Sequence, residues 1–218
     1  MKSIQSKVFL TIILLLAPKQ NAFAQSFVNL NFESAHIVPD NEFPYLVLAS
    51  SALPGWTAGP LYGTQNNEIP YNTVSLGGPM VSIHDANDPG GLIPIQGDYS
   101  VYIQSGEFGP GTAGIWQTGQ IPATAKSLTF WTPYASFSVT FNGQAITYAA
   151  IGSGLGYKVF GGDISTFAGQ TGTLQFTGGG MLDNIQFSNQ PIPEPSSLAL
   201  FSIGAWLLGF FQRRNSSR

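Results

Sequence analysis

Polar and apolar residues alternate one by one around residues 136–148. Small hydroxyl residues separate the apolar residues of the run SFSVTF, and a second run, QAITY, follows Asn142 and Gly143. A period of two is typical of a strand with one buried face. Asn-Gly between two such runs favours a type I′ turn, in which both central residues need positive φ. The pattern therefore predicts a β-hairpin.

Runs of the same kind recur through the middle of the chain, and residues that favour turns separate them. The predicted strands lie at residues 27–33, 80–84, 99–104, 114–118, 127–132, 157–160, 173–177 and 182–188. Many short strands joined by turns are typical of an antiparallel β-sandwich. We therefore expect one all-β domain over residues 25–190.

The N-terminal end has the composition of a secretory signal peptide. A positive segment (MKSIQSK) precedes a largely apolar run of ten residues at 8–17, and the sequence AFA follows at 22–24. Ten residues make only about 15 Å of helix, roughly half a bilayer core, so a membrane anchor is disfavoured. The pattern predicts that residues 1–24 are removed by signal peptidase, leaving Gln25 as the new terminus.

The C-terminal end has three parts. A proline-rich stretch (PIPEP, residues 191–195) precedes sixteen mostly apolar residues at 196–211, and arginines including Arg213 and Arg214 follow. The apolar part would form about 25 Å of helix, slightly less than a bilayer core of roughly 30 Å, so its length alone also allows an interfacial helix. Because positive residues stay on the cytoplasmic side, we expect a transmembrane helix with its C-terminus inside.

This tail resembles the PEP-CTERM sorting signal. The resemblance covers residues 191–218 and is carried by Pro193, Glu194 and Pro195, the transmembrane segment and the arginine cluster. It implies recognition by a membrane-embedded exosortase in a Gram-negative bacterium that secretes exopolysaccharide. The expected course is export through the inner membrane, a membrane-anchored precursor, and then the cell surface or the extracellular matrix.

The charge of the central region excludes one class of partner. Residues 25–190 contain ten acidic residues and only two basic ones, Lys126 and Lys158, for a net charge of −8. Such a surface repels a phosphate backbone, so we expect no nucleic-acid binding. The chain has no cysteine and therefore no disulfide.

Four short segments resemble carbohydrate-binding modules and galactose-binding-like domains. The opening segments are residues 29–33 (NLNFE) and 53–57 (LPGWT), and the closing segments are residues 163–176 (DISTFAGQTGTLQF) and 181–185 (MLDNI). The resemblance implies a jelly roll. It also implies a structural calcium ion held by one acidic residue from each end, Glu33 and Asp183. Two carboxylates would need backbone carbonyls or water to complete the shell; the alternative is two solvated strand-end acids.

Aromatic residues are the candidates for ligand binding. Alternation places Tyr102 opposite Val101 and Ile103, and Trp131 opposite Phe130, so Tyr102 and Trp131 are expected to face outward. Exposed rings of this kind stack on the apolar faces of sugars. The alternative is that they fill the core, as large aromatics do in sandwiches, and Trp56 is expected there.

Catalytic motifs are missing from the sequence. There is no G-x-S-x-G elbow, and His36 and His84 are isolated from each other. Residues 84–91 (HDANDPGG) are similar to the start of an EF-hand loop, but Pro89 and Gln96 stand where the fifth and twelfth positions need a carboxylate, so we expect a connecting loop. We expect a non-catalytic surface or matrix protein associated with exopolysaccharide. The alternatives are a carbohydrate-binding module and a small polysaccharide hydrolase.

Overall fold

The computed structural model describes residues 25–60, 67–106, 112–134 and 137–192. The predicted signal peptide (1–24), transmembrane helix (196–211) and sorting residues Pro193, Glu194, Pro195, Arg213 and Arg214 all lie outside these residues. Within the described residues, no helix has both the length and the apolar character needed to cross a membrane.

Strands account for most of the regular structure that is described. Helical structure there is limited to α1 (Ala49–Ala52) and a 3-10 turn (Ser165–Phe167). The strands are β1 (Leu46–Leu48), β2 (Thr57–Gly59), β3 (Glu68–Pro70), β4 (Met80–His84), β5 (Ser100–Gln104), β6 (Gly114–Gln120), β7 (Ser127–Thr132), β8 (Phe137–Phe141), β9 (Gln144–Ala145), β10 (Tyr148–Gly154), β11 (Tyr157–Asp163), β12 (Thr171–Gly178) and β13 (Gly180–Ser188).

These strands form three antiparallel sheets. The six-stranded sheet has the order β10-β11-β7-β13-β5-β4, and the five-stranded sheet has the order β2-β6-β12-β8-β9. Strands β1 and β3 form a separate pair. The prediction of an all-β antiparallel fold is confirmed.

The two larger sheets pack face to face through aromatic side chains. Phe130 on β7 lies edge-on to Phe176 on β12, with ring centroids 5.4 Å apart, and Phe160 on β11 stacks against Phe130 at 5.8 Å. Phe130 and Phe176 are at most 1% exposed. Burying a large aromatic side chain contributes roughly 2–3 kcal/mol, so this cluster is a main source of stability in a chain without disulfides. The arrangement fits a β-sandwich. Trp56 is 6% exposed in the same core, as predicted.

The predicted hairpin is present between β8 and β9. Asn142 has φ 50° and Gly143 has φ 76°, the signs that a type I′ turn requires. Thr140 pairs with Ala145, and Phe141 pairs with Gln144. The Asn-Gly signal therefore located the turn to the residue.

The strand predicted at residues 27–33 is wrong. Asn29 and Phe32 have φ of 51° and 60°, which breaks an extended conformation, and the chain turns there. A side chain replaces the strand partner: the Val28 N–H donates to Gln117 Oε1 at 2.6 Å, and Gln117 Nε2 donates to the Val28 carbonyl at 3.0 Å. The alternation of residues 27–33 arises because Phe32 is buried in the core, not because the segment pairs with a neighbouring strand. Glu33 consequently lies in a turn and not at a strand end.

We expect Gly143→Ala to lower the free energy of unfolding by about 1–2 kcal/mol, because a Cβ is disfavoured at positive φ. No atom lies within 4 Å of where that Cβ would be, so the effect isolates backbone strain. Thermal unfolding measures it, with the exposed Gln144→Ala as the control. Equal stability of the two variants would contradict the turn assignment.

Candidate functional site

A groove crosses the face of the six-stranded sheet that points away from the core. Val101 and Ile103 on β5 are fully buried in the core, whereas Tyr102 between them is half-buried on the opposite face. Tyr102 pairs with Met181 on β13, and Asp183 on β13 pairs with Trp131 on β7. The alternation that predicted an outward Tyr102 and Trp131 is confirmed.

A loop and the tip of a hairpin form the walls of this groove, which we call the outer groove. It encloses about 460 Å³. One wall comes from the loop between β4 and β5, and the other comes from the tip of the β10–β11 hairpin. The lining residues are 91–95, Tyr102, Pro133, Tyr134, 155–157 and 179–181.

Three tyrosines dominate the aromatic surface of the outer groove. Tyr134 is 72% exposed, and Tyr102 and Tyr157 are half-buried. Tyr157 stacks on Trp131, with ring centroids 4.5 Å apart and ring planes 13° apart. Trp131 therefore supports Tyr157 from beneath, while Tyr102 lines the groove itself. Sequence reasoning missed Tyr157, although alternation along β11 puts it on the same face as Val159, the partner of Trp131.

Among the residues that the structure describes, no charged side chain lines the outer groove. Its polar groups are backbone amides and tyrosine hydroxyls. Within the described residues, the hydroxyl groups of Tyr102 and Tyr157 make no hydrogen bond to protein, so both remain available to a ligand. An apolar, aromatic surface with a few hydroxyls suits a neutral ligand that has both apolar and hydroxylated faces.

Carboxylates hold the first end of the β4–β5 loop. Asp85 accepts hydrogen bonds from the Tyr71 hydroxyl at 2.6 Å and from Asn72 Nδ2 at 2.7 Å. Burial raises the pKa of Asp85, but these hydrogen bonds outweigh burial and leave the pKa below its ordinary value. The charged carboxylate therefore fixes the start of the loop that forms one wall of the outer groove.

A chain of hydrogen bonds that joins Ser82, His84 and Asp88 lies next to Asp85. Ser82 Oγ lies 2.7 Å from His84 Nε2, and His84 Nδ1 contacts Asp88 Oδ2. The Asp88 Oδ1 atom accepts the Gly90 N–H at 2.5 Å, which ties the chain to the loop backbone. Sequence reasoning missed this arrangement because Ser82 and His84 are neighbours along one strand, without any motif.

The geometry of this chain resembles a catalytic triad, but the solvent accessibility does not. Ser82 and His84 are 0% exposed, so a substrate has no access to the Ser82 hydroxyl in this conformation. Burial lowers the pKa of His84, against the raising effect of Asp88. A neutral, buried imidazole between Ser82 and Asp88 serves as a hydrogen-bonded brace for the loop.

The second end of the same loop is held by Glu33 and Asp183. Glu33 accepts hydrogen bonds from two backbone N–H groups. The Asp98 nitrogen lies 2.9 Å from Glu33 Oε2, and the Tyr99 nitrogen lies 3.3 Å from Glu33 Oε1. Asp183 Oδ2 accepts the Gln96 N–H at 3.0 Å and the Ser100 hydroxyl at 2.6 Å. The two predicted calcium ligands are thus brought to one short segment of chain.

The position of Asp183 depends on an irregularity in β13. The strand pairs with β5 at Gly180–Leu182 and with β7 from Asp183 onward, and the register shifts between Asp183 and Gln186. Asn184 has φ 45° and donates its N–H to Asp183 Oδ1 at 2.6 Å. A β-bulge re-aims a side chain in this way.

The carboxylates of Glu33 and Asp183 already have hydrogen-bond partners in the protein. Every carboxylate oxygen of Glu33 and Asp183 accepts at least one hydrogen bond, and both residues keep spare acceptor capacity. Among the described residues, no three His, Cys, Asp or Glu side chains form a metal-binding group. The hydrogen bonds account for both residues without an ion, and a calcium ion here stays a prediction.

We expect Asp183 to make stability depend on pH when a chelator is present. Burial raises its pKa to about 6 from 3.8, so the charged form costs stability above pH 6 and the cost disappears below about pH 4. Melting temperatures of the wild type and of Asp183→Asn measure the effect. The wild type should gain roughly 3 kcal/mol relative to the variant between pH 7.5 and pH 4. If the difference in stability between the wild type and Asp183→Asn did not change with pH, Asp183 would not be a buried carboxylate with a raised pKa.

Comparison with known proteins identifies the C-terminal part of the chain. Residues 191–215 match the PEP-CTERM protein-sorting motif. No curated protein and no solved structure matches the chain. The motif marks a protein that is exported, anchored in the membrane and then processed by an exosortase on its way to the cell surface.

Proposed function

We propose that the chain is a non-catalytic protein of the cell surface or extracellular matrix whose domain, residues 25–190, binds a neutral polysaccharide in the outer groove. The sorting motif supports the destination. The observation that supports the ligand is the uncharged groove lined by Tyr102, Tyr134 and Tyr157. The earlier resemblance to carbohydrate-binding jelly rolls agrees with this proposal.

The aromatic arrangement suits a sugar chain. Tyr157 is fixed from below by Trp131, so its ring is already oriented before a ligand binds. The ring of Tyr102 packs edge-on to His84, with centroids 5.9 Å apart, and is fixed as well. Pre-oriented rings lose little conformational entropy on binding. Pyranose rings present apolar C–H faces to such surfaces, and tyrosine hydroxyls bind the sugar hydroxyls.

Charge favours a neutral polysaccharide over an anionic one. The domain carries ten acidic residues against two basic ones, and the described part of the groove lining has none of either. An anionic polymer would meet a negative surface with no cation from the described lining to pair with. A neutral chain avoids this repulsion.

We propose a non-catalytic role because no carboxyl group lines the described part of the groove. Hydrolysis of a glycosidic bond generally needs two carboxyl groups that flank the bond. The lining residues that the structure describes supply none, and the Ser82 hydroxyl is buried beneath the loop. Turnover of a polysaccharide by the purified protein would favour the alternative of a small hydrolase.

We also propose that a calcium ion binds at Glu33 and Asp183. The two carboxylates are close enough for the charge of Glu33 to raise the pKa of Asp183. A calcium ion would supply the positive charge that this pair lacks. Its role would be to strengthen the attachment of the β4–β5 loop, which shapes the groove.

We expect Tyr102→Ala and Tyr157→Ala each to weaken binding of a neutral polysaccharide by about five- to tenfold. This corresponds to about 1 kcal/mol from one lost aromatic contact. Glycan-array screening identifies the sugar, and titration calorimetry on the variants measures the loss. Tyr45→Ala removes a 54% exposed tyrosine outside the groove and is the control. Binding that survives both groove substitutions would exclude the outer groove.

We expect calcium to raise the melting temperature of the wild type and to raise that of Asp183→Asn by less. A ligand at a hundredfold excess over its Kd stabilises by about 2.7 kcal/mol, or roughly 5 °C in a protein of this size. Melting curves with chelator and with calcium provide the comparison. If calcium left the melting temperature of the wild type unchanged, the proposal of an ion at Glu33 and Asp183 would be wrong.

A further inference from the structure

A second acidic site lies away from the outer groove, at the small sheet formed by β1 and β3. Glu68 begins β3 and pairs with Leu48 on β1. Pro39 forms a bridge with Val47 on the other edge of β1. This arrangement brings Asp40, from the segment before β1, to the same side of the sheet as Glu68.

The Glu68 carboxyl group is buried and incompletely satisfied. Glu68 is 5% exposed, and its Oε2 atom has no hydrogen-bond partner. An unpaired buried acceptor costs about 1–3 kcal/mol, and more when the group is charged. Native structures rarely leave such an atom without a partner, so the orphaned oxygen calls for a ligand or a proton.

The Asp40 carboxylate lies within hydrogen-bonding reach of Glu68 and is itself held as an anion. Its Oδ1 atom accepts the N–H groups of Glu42 at 2.8 Å and Phe43 at 2.7 Å. These backbone hydrogen bonds lower the pKa of Asp40, whereas burial and the Asp40 charge raise the pKa of Glu68. Two adjacent carboxylates of this kind need a positive charge between them or a shared proton.

A pocket is present at this position, and its lining is rich in oxygen. It encloses about 440 Å³ and is lined by Asp40, Asn41, Asn67 and Glu68, together with Val38, Pro39 and Leu48. Among the described residues, no lysine or arginine lines this pocket, so a neutralising metal cation would come from solution.

We propose that Asp40 and Glu68 bind a divalent cation, Ca²⁺, with the side-chain carbonyl oxygens of Asn41 and Asn67 as further ligands. All four groups are oxygen donors, the type that Ca²⁺ prefers over nitrogen or sulfur ligands. The site is distinct from Glu33 and Asp183, where every carboxylate oxygen already accepts a hydrogen bond. A bound ion would join the segment before β1 to β3.

Titration calorimetry of the full-length protein with CaCl₂, after removal of metal by chelator, tests this site. The informative variant is Glu68→Gln, because glutamine has the same side-chain shape as glutamate but no negative charge. We expect it to lower the affinity of one Ca²⁺ site by at least about tenfold, because a bound carboxylate is a much stronger ligand than an amide. Glu42→Gln neutralises an exposed neighbour and should bind Ca²⁺ as the wild type does. Asp183→Asn should leave the Asp40–Glu68 site intact, which separates it from the other calcium proposal.

Melting curves provide a second readout. In chelator, Glu68→Gln should be at least as stable as the wild type, because it relieves repulsion between adjacent carboxylates, and calcium should reverse the order. The proposal is overturned if Glu68→Gln binds Ca²⁺ with wild-type affinity and stoichiometry. It is also overturned if the wild type binds no Ca²⁺ at millimolar concentration, which would leave a shared proton as the state of the pair. None of these outcomes depends on whether the outer groove binds sugar.

Discussion

Attachment of the β4–β5 loop by four carboxylates is the constraint on which the outer groove depends. The loop has little regular structure, yet one wall of the groove is built from its residues 91–95. Asp85 and Asp88 hold its first end, and Glu33 and Asp183 hold its last. Hydrogen bonds to charged acceptors are about twice as strong as those between neutral groups. A loop that would otherwise sample many conformations is thus fixed over the sheet.

This mode of attachment suits a protein without disulfides. The core supplies stability through packed aromatic rings, but a core does not position a surface loop. Gly97 shows how closely the parts approach: its φ is 68°, and a Cβ there would overlap the Glu33 carboxylate. Backbone N–H groups can therefore reach the carboxylate directly.

The sequence predicted what local patterns control. Alternation located β4, β5, β7 and the face on which Tyr102 lies, and Asn142-Gly143 located the turn between β8 and β9. The same alternation failed at residues 27–33, because burial of one phenylalanine in a turn produces the same pattern as a strand. It also missed β10, whose exposed sequence YAAIGSG has almost no alternation.

The missed parts of the site depend on contacts that only the folded chain makes. Tyr157 belongs to the groove only because β11 pairs with β7 and places the ring on Trp131. The Ser82–His84–Asp88 chain needs the loop to fold back onto its own strand. The unpaired oxygen of Glu68 depends on the burial of its carboxyl group, which the sequence does not show. No sequence motif marks any of these arrangements.

Mapping of a bound ligand by NMR tests the central claim most directly. Backbone amide shifts of the isotopically labelled full-length protein would be followed during titration with the neutral oligosaccharide identified by screening. The account predicts that the shifts concentrate at Tyr102, Gly156, Tyr157 and Met181, with little change on the five-stranded sheet. Shifts centred on the five-stranded sheet, or no shift with any neutral sugar, would contradict it.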